Sequence, residues 1–291
     1  SSSIFDVYNC PEDEVTTVWV DVEDEVEVDF AYGVGDLCSI TDDVWVSPDG
    51  DDNNLGTSES QAFRTIARAL EMIAPEDGDP ITINLTEGTF SPTITGEEFP
   101  ILMISNVNLI GQGEEVTIID AEQSGRVITM DNCDNNTISD LTLTGGSGVS
   151  GGMRLDNSNP TLNNVTIVNN TAGSGGGMYF IISNPILTNS IIWDNSPQSI
   201  YTSSGTPLIT YSDIEGGWEG EGNIDVNPIF TDSENGDYSL QEGSPCIDAG
   251  TSYFEYGGEV IVDIPESYYY NTAPDMGAFE WWPELLGCMD E

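Results

Sequence analysis

The chain has 291 residues, of which 4 are Lys or Arg, 52 are Asp or Glu and none is His, for a formal net charge of −48. So acidic a surface excludes nucleic acid and anionic lipid headgroups as partners, because neutralising phosphate needs a basic patch. No apolar run approaches the roughly 20 residues of a membrane-spanning helix, so no membrane insertion is expected.

Residues 1–40 read as an acidic β segment or cap. Val18-Trp19-Val20-Asp21-Val22 and Glu25-Val26-Glu27-Val28-Asp29-Phe30 alternate strictly, the period of strands with one wet face. Cys10 and Cys38 bracket this segment and are expected to pair in an oxidising compartment. Cys133 and Cys246 are either a second pair or buried thiols, and Cys288 is left over. The opening serines have no leader pattern, so a leader is expected to have been removed.

From 44 onward, strand Val44-Trp45-Val46 runs into a loop rich in Asp, Asn and Gly. Asp49, Asp51 and Asn53 there have the alternating oxygen spacing of calcium loops, and calcium is expected in a structural role if any. Ser60 stands where an EF-hand needs its final glutamate, and an Asx-rich turn accounts for the same residues. A capping helix is expected near 61–74, where Phe63, Ile66, Ala67, Leu70 and Ile73 share one face and Pro75 follows. Such a helix covers the open end of a repeat structure.

Between about 100 and 230 the sequence repeats. Thr137-Ile138-Ser139-Asp140-Leu141-Thr142-Leu143 aligns with segments beginning at Thr161, Ile186 and Leu208. This register stacks Ile138, Leu162, Leu187 and Ile209, and separately Leu143, Ile167, Ile192 and Ile214. A second ladder stacks Ile128, Met153, Met178 and Ile200, with Met130, Leu155, Phe180 and Thr202 two positions on. Thr129, Arg154, Tyr179 and Tyr201 lie between and are expected to point outward. No coil can bury its apolar positions alone, so the pattern predicts an all-β, right-handed parallel β-helix over 41–286. Glycine runs such as Gly151-Gly152 and Gly175-Gly176-Gly177 are expected at its corners. A leucine-rich repeat is rejected because the helical half of each repeat is missing.

A closing segment is expected over 227–286. Its aromatics, among them Tyr253, Tyr256, Tyr268, Tyr270, Trp281 and Trp282, are expected to cap the last coil. Residues 287–291 read as the start of a truncated linker. The sequons at Asn84, Asn135, Asn164 and Asn169 permit glycosylation.

On its repeats and on Asn53-Asn54-Leu55-Gly56-Thr57, the chain resembles secreted β-helix surface proteins of environmental bacteria. Gly243-Ser244-Pro245-Cys246-Ile247-Asp248-Ala249-Gly250 and Asp275-Met276-Gly277-Ala278-Phe279-Glu280 resemble the closing segment called choice-of-anchor Q. Gly287-Cys288 looks like the linker preceding a sorting domain in type IX secretion cargo. The resemblance implies export and surface display, and says little about a reaction.

Hydrolases and lyases of polysaccharides share this fold, which is a weak warrant by itself. With no His and no Lys, polygalacturonase-like elements cannot exist, and a lyase could draw only on Arg64, Arg68, Arg126 or Arg154. Arg126 is the sole catalytic candidate. Arg154, Tyr179, Tyr201 and Trp193 are candidate contacts for a polysaccharide or a partner, by stacking. The expected function is therefore a non-catalytic, extracellular structural or adhesive surface protein, stabilised by salt or calcium. Its partners would be cell-surface or matrix components, with homotypic head-to-tail assembly an extension. The alternative is a carbohydrate-binding protein or a lyase-like enzyme acting on acidic polysaccharide.

Overall fold

A computed structural model describes residues 40–112 and 117–283, together with the backbones of strands Ser3–Val7 and Thr16–Val20. Those two strands pair antiparallel. The Cys10–Cys38 pairing, the strand expected at 25–30 and the linker at 287–291 lie outside the described residues.

The rest is an all-β parallel solenoid of about 5 turns. Its first face carries Ile101–Leu102, Ile128–Asp131, Met153–Asp156, Met178–Ile181 and Ile200–Thr202 in axial order. The second face begins at Val44–Val46 and continues through Ile81–Leu85, Val107–Ile110, Thr137, Thr161, Ile186–Thr188 and Leu208–Thr210. The third carries Gly88–Phe90, Thr117–Asp120, Leu141–Thr144, Val165–Val168, Ile191–Trp193 and Asp213–Ile214. Pairing joins Ile138 to Leu162, Leu162 to Leu187 and Leu187 to Ile209, as the repeat register requires. The Met153–Met178–Ile200 ladder is equally in place, and these side chains form one continuous core.

The corners between second and third faces are made mostly by Asp and Asn. Asp140, Asn164, Asn189 and Tyr211 take left-handed φ of 57°, 51°, 51° and 48°, a conformation that Asn and Asp tolerate best among residues with a side chain. The glycine runs have a different role from corner flexibility alone. A Cβ on Gly152 would sit 2.5 Å from the Gly177 carbonyl oxygen, and one on Gly177 would sit 2.6 Å from that of Ser199. Adjacent coils approach there too closely for any side chain.

Polar ladders run inside the corners. The Cys133 N–H donates to Ser158 Oγ at 2.9 Å and the Ser158 N–H to Ser183 Oγ at 3.1 Å. Likewise the Gly146 N–H donates to Asn170 Oδ1 and the Asn170 N–H to Asn195 Oδ1, at 2.7 and 3.1 Å. Each side chain thus satisfies a backbone donor that a turn would otherwise leave buried and unpaired.

The helix spans Ile66–Met72, shorter than expected at both ends. Phe63 pairs with Val46 as a strand residue, and Ile73 pairs with Ile40. Ile66 and Ala69 form its buried face, while Ala67 and Leu70 are only half-buried. Thr65 caps it, accepting from the Arg68 N–H at 3.1 Å.

The closing segment corrects a further expectation. At the far end of the solenoid it is Trp218 that packs against the main core, and Ile224 pairs with Asp213. Residues 230–249 and 276–281 instead pack on the outside of the third face. Tyr238, Ala278 and Phe279 pack on Ile118 and Val168, while Leu240, Cys246 and Met276 pack on Ile191. Tyr253, Tyr256, Tyr268 and Trp282 stay exposed, because the segment meets the solenoid through a different set of apolar residues, Tyr238 and Phe279 among them.

Candidate functional site

Two places bring chemistry-bearing side chains together. The first is the outward row of the first face. Thr129, Arg154, Tyr179 and Tyr201 stand in register on successive coils. The Tyr179 and Tyr201 rings stack with centroids 5.0 Å apart and planes 18° from parallel. Arg154 Nη2 is 2.7 Å from Asp156 Oδ2. Arg126 lies just before this face, where its Nη1 donates to Thr129 Oγ1 at 2.7 Å and its Nε to Ser150 Oγ at 2.5 Å. Burial, and then the Arg154 charge, pull the Arg126 guanidinium below its usual pKa. Trp193 does not join this row. It pairs with Val168 on the third face and packs beneath the closing segment, because its strand faces the opposite side of the coil.

The loop of Asp49, Asp51 and Asn53 is an Asx turn. Asp51 Oδ1 accepts from the Asn53 N–H at 3.0 Å and from Asn53 Nδ2 at 2.8 Å. These bonds hold the Asp51 carboxyl below the usual carboxylate range. Asn53 therefore turns its amide nitrogen toward Asp51. Among the described residues no group of three or more His, Cys, Asp or Glu side chains is placed to hold a metal ion. Asp52, which the sequence reading passed over, anchors the helix by accepting from the Arg64 and Thr65 N–H groups at 2.8 and 2.9 Å.

The second place is a cleft of about 650 Å³ between the solenoid and the closing segment. Asp140 and Asn164 line one side, and Asp263, Tyr268, Asp275 and Glu280 the other. Asp275 and Glu280 tie the segment together. Asp275 accepts from the Asp248 and Trp281 N–H groups at 2.8 and 2.6 Å, and Glu280 from those of Tyr270 and Asp275 at 2.7 and 2.9 Å. Burial raises Asp275 to about 6 and Glu280 to about 7 against those bonds. Burial also raises Asp140 to about 6, opposed only by the Ser139 and Asn164 side chains. The sequence reading missed this cleft. The signal available was Asp140 itself, the acidic member of a corner row that otherwise reads Asn164, Asn189 and Tyr211.

Cys133 and Cys246 are buried free thiols. Cys246 Sγ donates to Asp213 Oδ2 at 3.2 Å, and burial beside that carboxyl pushes the thiol far up.

The family described as a protein of unknown function (DUF1565) matches residues 48–206, more than half of the chain. The chain belongs to the DUF1565 family. The match in this DUF1565 protein takes in the Asx turn, the helix and the whole Arg154–Tyr201 row, and stops short of the closing segment. No curated protein matches the chain. Among solved structures, the crystal structure of pectate lyase Pel9A aligns at a TM-score of 0.27 and 13% identity, over 84% of this chain and 98% of that one. At that level the likeness bears on neither chemistry nor substrate.

Proposed function

We propose that this DUF1565 protein is a non-catalytic, extracellular adhesive scaffold whose first face binds a polysaccharide chain. One observation carries this reading: on a molecule of net charge −48, Arg154, one of the 4 basic residues, stands in register beside a stacked tyrosine pair on one face. The row from Thr129 to Tyr201 is about 14 Å long, three strand spacings of roughly 4.8 Å. Aromatic rings supply stacking surfaces with polar tips, and the Arg154 guanidinium supplies hydrogen-bond donors. Strand alternation holds all of these side chains on a rigid scaffold, which limits the ordering cost of binding.

Display outside the cell accords with the acidic surface and with the resemblance of the closing segment to surface anchors. Calcium or salt would then stabilise the scaffold by screening its charge. Head-to-tail association of coil ends is an extension, and electron micrographs showing only isolated monomers at high concentration would remove it.

Affinity electrophoresis against a panel of neutral and acidic polysaccharides tests the reading. Tyr201→Ala and Arg154→Ala are each expected to weaken retardation by roughly tenfold, the order of one lost stacking or charge-assisted contact. Retardation unchanged in both variants would remove the first face as the site. Incubation with acidic polysaccharide and calcium should yield no ultraviolet-absorbing unsaturated product. Turnover that vanishes in Arg126→Ala would replace the scaffold with a lyase.

A further inference from the structure

We propose that the cleft between the Asp140 corner and the closing segment holds the ammonium or guanidinium group of a basic ligand. Two adjoining hollows share Asp140, Asn164, Asp263 and Ile264, so the groove is continuous along the coil corners. The corner row shows what its side chains do when covered. Asn189 Nδ2 donates to the Thr251 carbonyl at 2.9 Å and its Oδ1 accepts the Thr251 N–H at 2.8 Å. One coil earlier, Asn164 Oδ1 is buried and meets no donor among the described residues. One coil further, the half-buried Asp140 carboxylate lines the cleft, met by the Ser139 and Asn164 side chains and by no arginine among the described residues.

The remaining lining is also rich in acceptors. Gln112 Nε2 donates to the Leu85 carbonyl at 2.8 Å, and its Oε1 meets no donor among the described residues. Asp263 adds a second carboxylate, and Tyr268, 67% exposed, adds a ring at the rim. A site of carboxylates and carbonyl oxygens needs a ligand that brings N–H donors and positive charge. The aromatic rim suits the same ligand through its ring face. A metal ion fits less well, since no three acidic side chains converge among the described residues. A free polyamine and a Lys- or Arg-bearing peptide share the required chemistry.

Calorimetric titration of the full chain with spermidine, and separately with an Arg- and Lys-rich peptide, tests this in salt sufficient to screen the general surface. One saturable site is expected. Asp140→Asn should weaken it by about tenfold or more, the order of one charge-assisted hydrogen bond, while Asp134→Asn at an exposed corner should leave it unchanged. Asparagine suits this left-handed position, as Asn164 and Asn189 show, so the variant should fold, and a thermal melt checks it. Tyr268→Ala, at an exposed rim position, should weaken binding severalfold and gives a second readout. Tighter binding of the peptide assigns a protein partner, and tighter binding of spermidine a free amine. Equal binding by wild type, Asp140→Asn and Tyr268→Ala would reduce the effect to diffuse attraction and overturn the proposal. Calcium binding that depends on Asp140, without amine binding, would overturn it as well.

Discussion

Glu97 is 2% exposed, yet it is a carboxyl group. Its two oxygens accept from the Ile66 and Ala67 N–H groups at 2.7 and 3.0 Å, closing the first turn of the helix from a residue 31 positions away. Removing it leaves the buried Ile66 N–H and the half-buried Ala67 N–H without their partner, so Glu97→Ala is expected to cost about 1.5–3 kcal/mol. Chemical denaturation measures this, and a cost below about 0.5 kcal/mol would show the helix end to be solvated instead. Nothing around Glu97 in the sequence marks it, because its neighbour Glu98 is exposed and chemically identical. Asp140 was legible in retrospect as a break in the repeat, whereas Glu97 required knowing which loop meets the helix.

At the scale of elements, the third face is the unusual one. Ile118, Thr142, Thr166 and Ile191 stack on its outer side and are all buried. Strands wet on one side alternate, but Val165-Thr166-Ile167-Val168 and Ile191-Ile192-Trp193 do not, and such runs mark strands covered on both faces. The closing segment is the cover. Its latches are the Gly277 N–H to the Asn189 carbonyl at 2.9 Å and the Ala278 N–H to Thr166 Oγ1 at 3.0 Å. Truncating Phe279, which packs among Ile118, Val168 and Tyr238, should cost about 3–5 kcal/mol of local stability. Hydrogen exchange read by mass spectrometry should then show residues 275–281 opening in Phe279→Ala while strand Thr161–Val168 stays protected. Uniform loss across the chain would mean that segment and solenoid unfold as one unit.

Across the whole molecule, charge and burial act in the same direction. Burial raises Asp140, Asp213 and Asp275 to about 6 from 3.8, and Glu97 and Glu280 to about 7 from 4.5. A group raised in the folded state binds its proton more tightly there than in the unfolded chain. Its stabilisation is therefore complete below the unfolded value and is lost as pH rises through the folded one. The melting temperature should climb as pH is lowered from 8 to about 5, beginning near pH 7 and most steeply at about pH 5–6, where these five groups hold their protons in the folded state and have lost them in the unfolded chain. Self-repulsion among the 52 acidic residues adds to the trend, so sodium chloride at pH 8 should also raise the melting temperature. A melting temperature that falls on acidification from pH 8 to 5 would contradict the burial of these carboxyls.

The solenoid, its registered ladders and its outward Arg154–Tyr179–Tyr201 row were determined by the sequence itself. A period-2 pattern repeated every coil leaves one way to stack, and stacking fixes which residues become neighbours. Only the tertiary structure decided what lies against the outside of that stack. Where the closing segment docks, why Trp193 is covered while Tyr201 is open, and how Asp140 comes to face Glu280 across a cleft all depend on contacts between distant residues. No periodicity encodes them, because they are made once, by surfaces that exist only after the coils have formed.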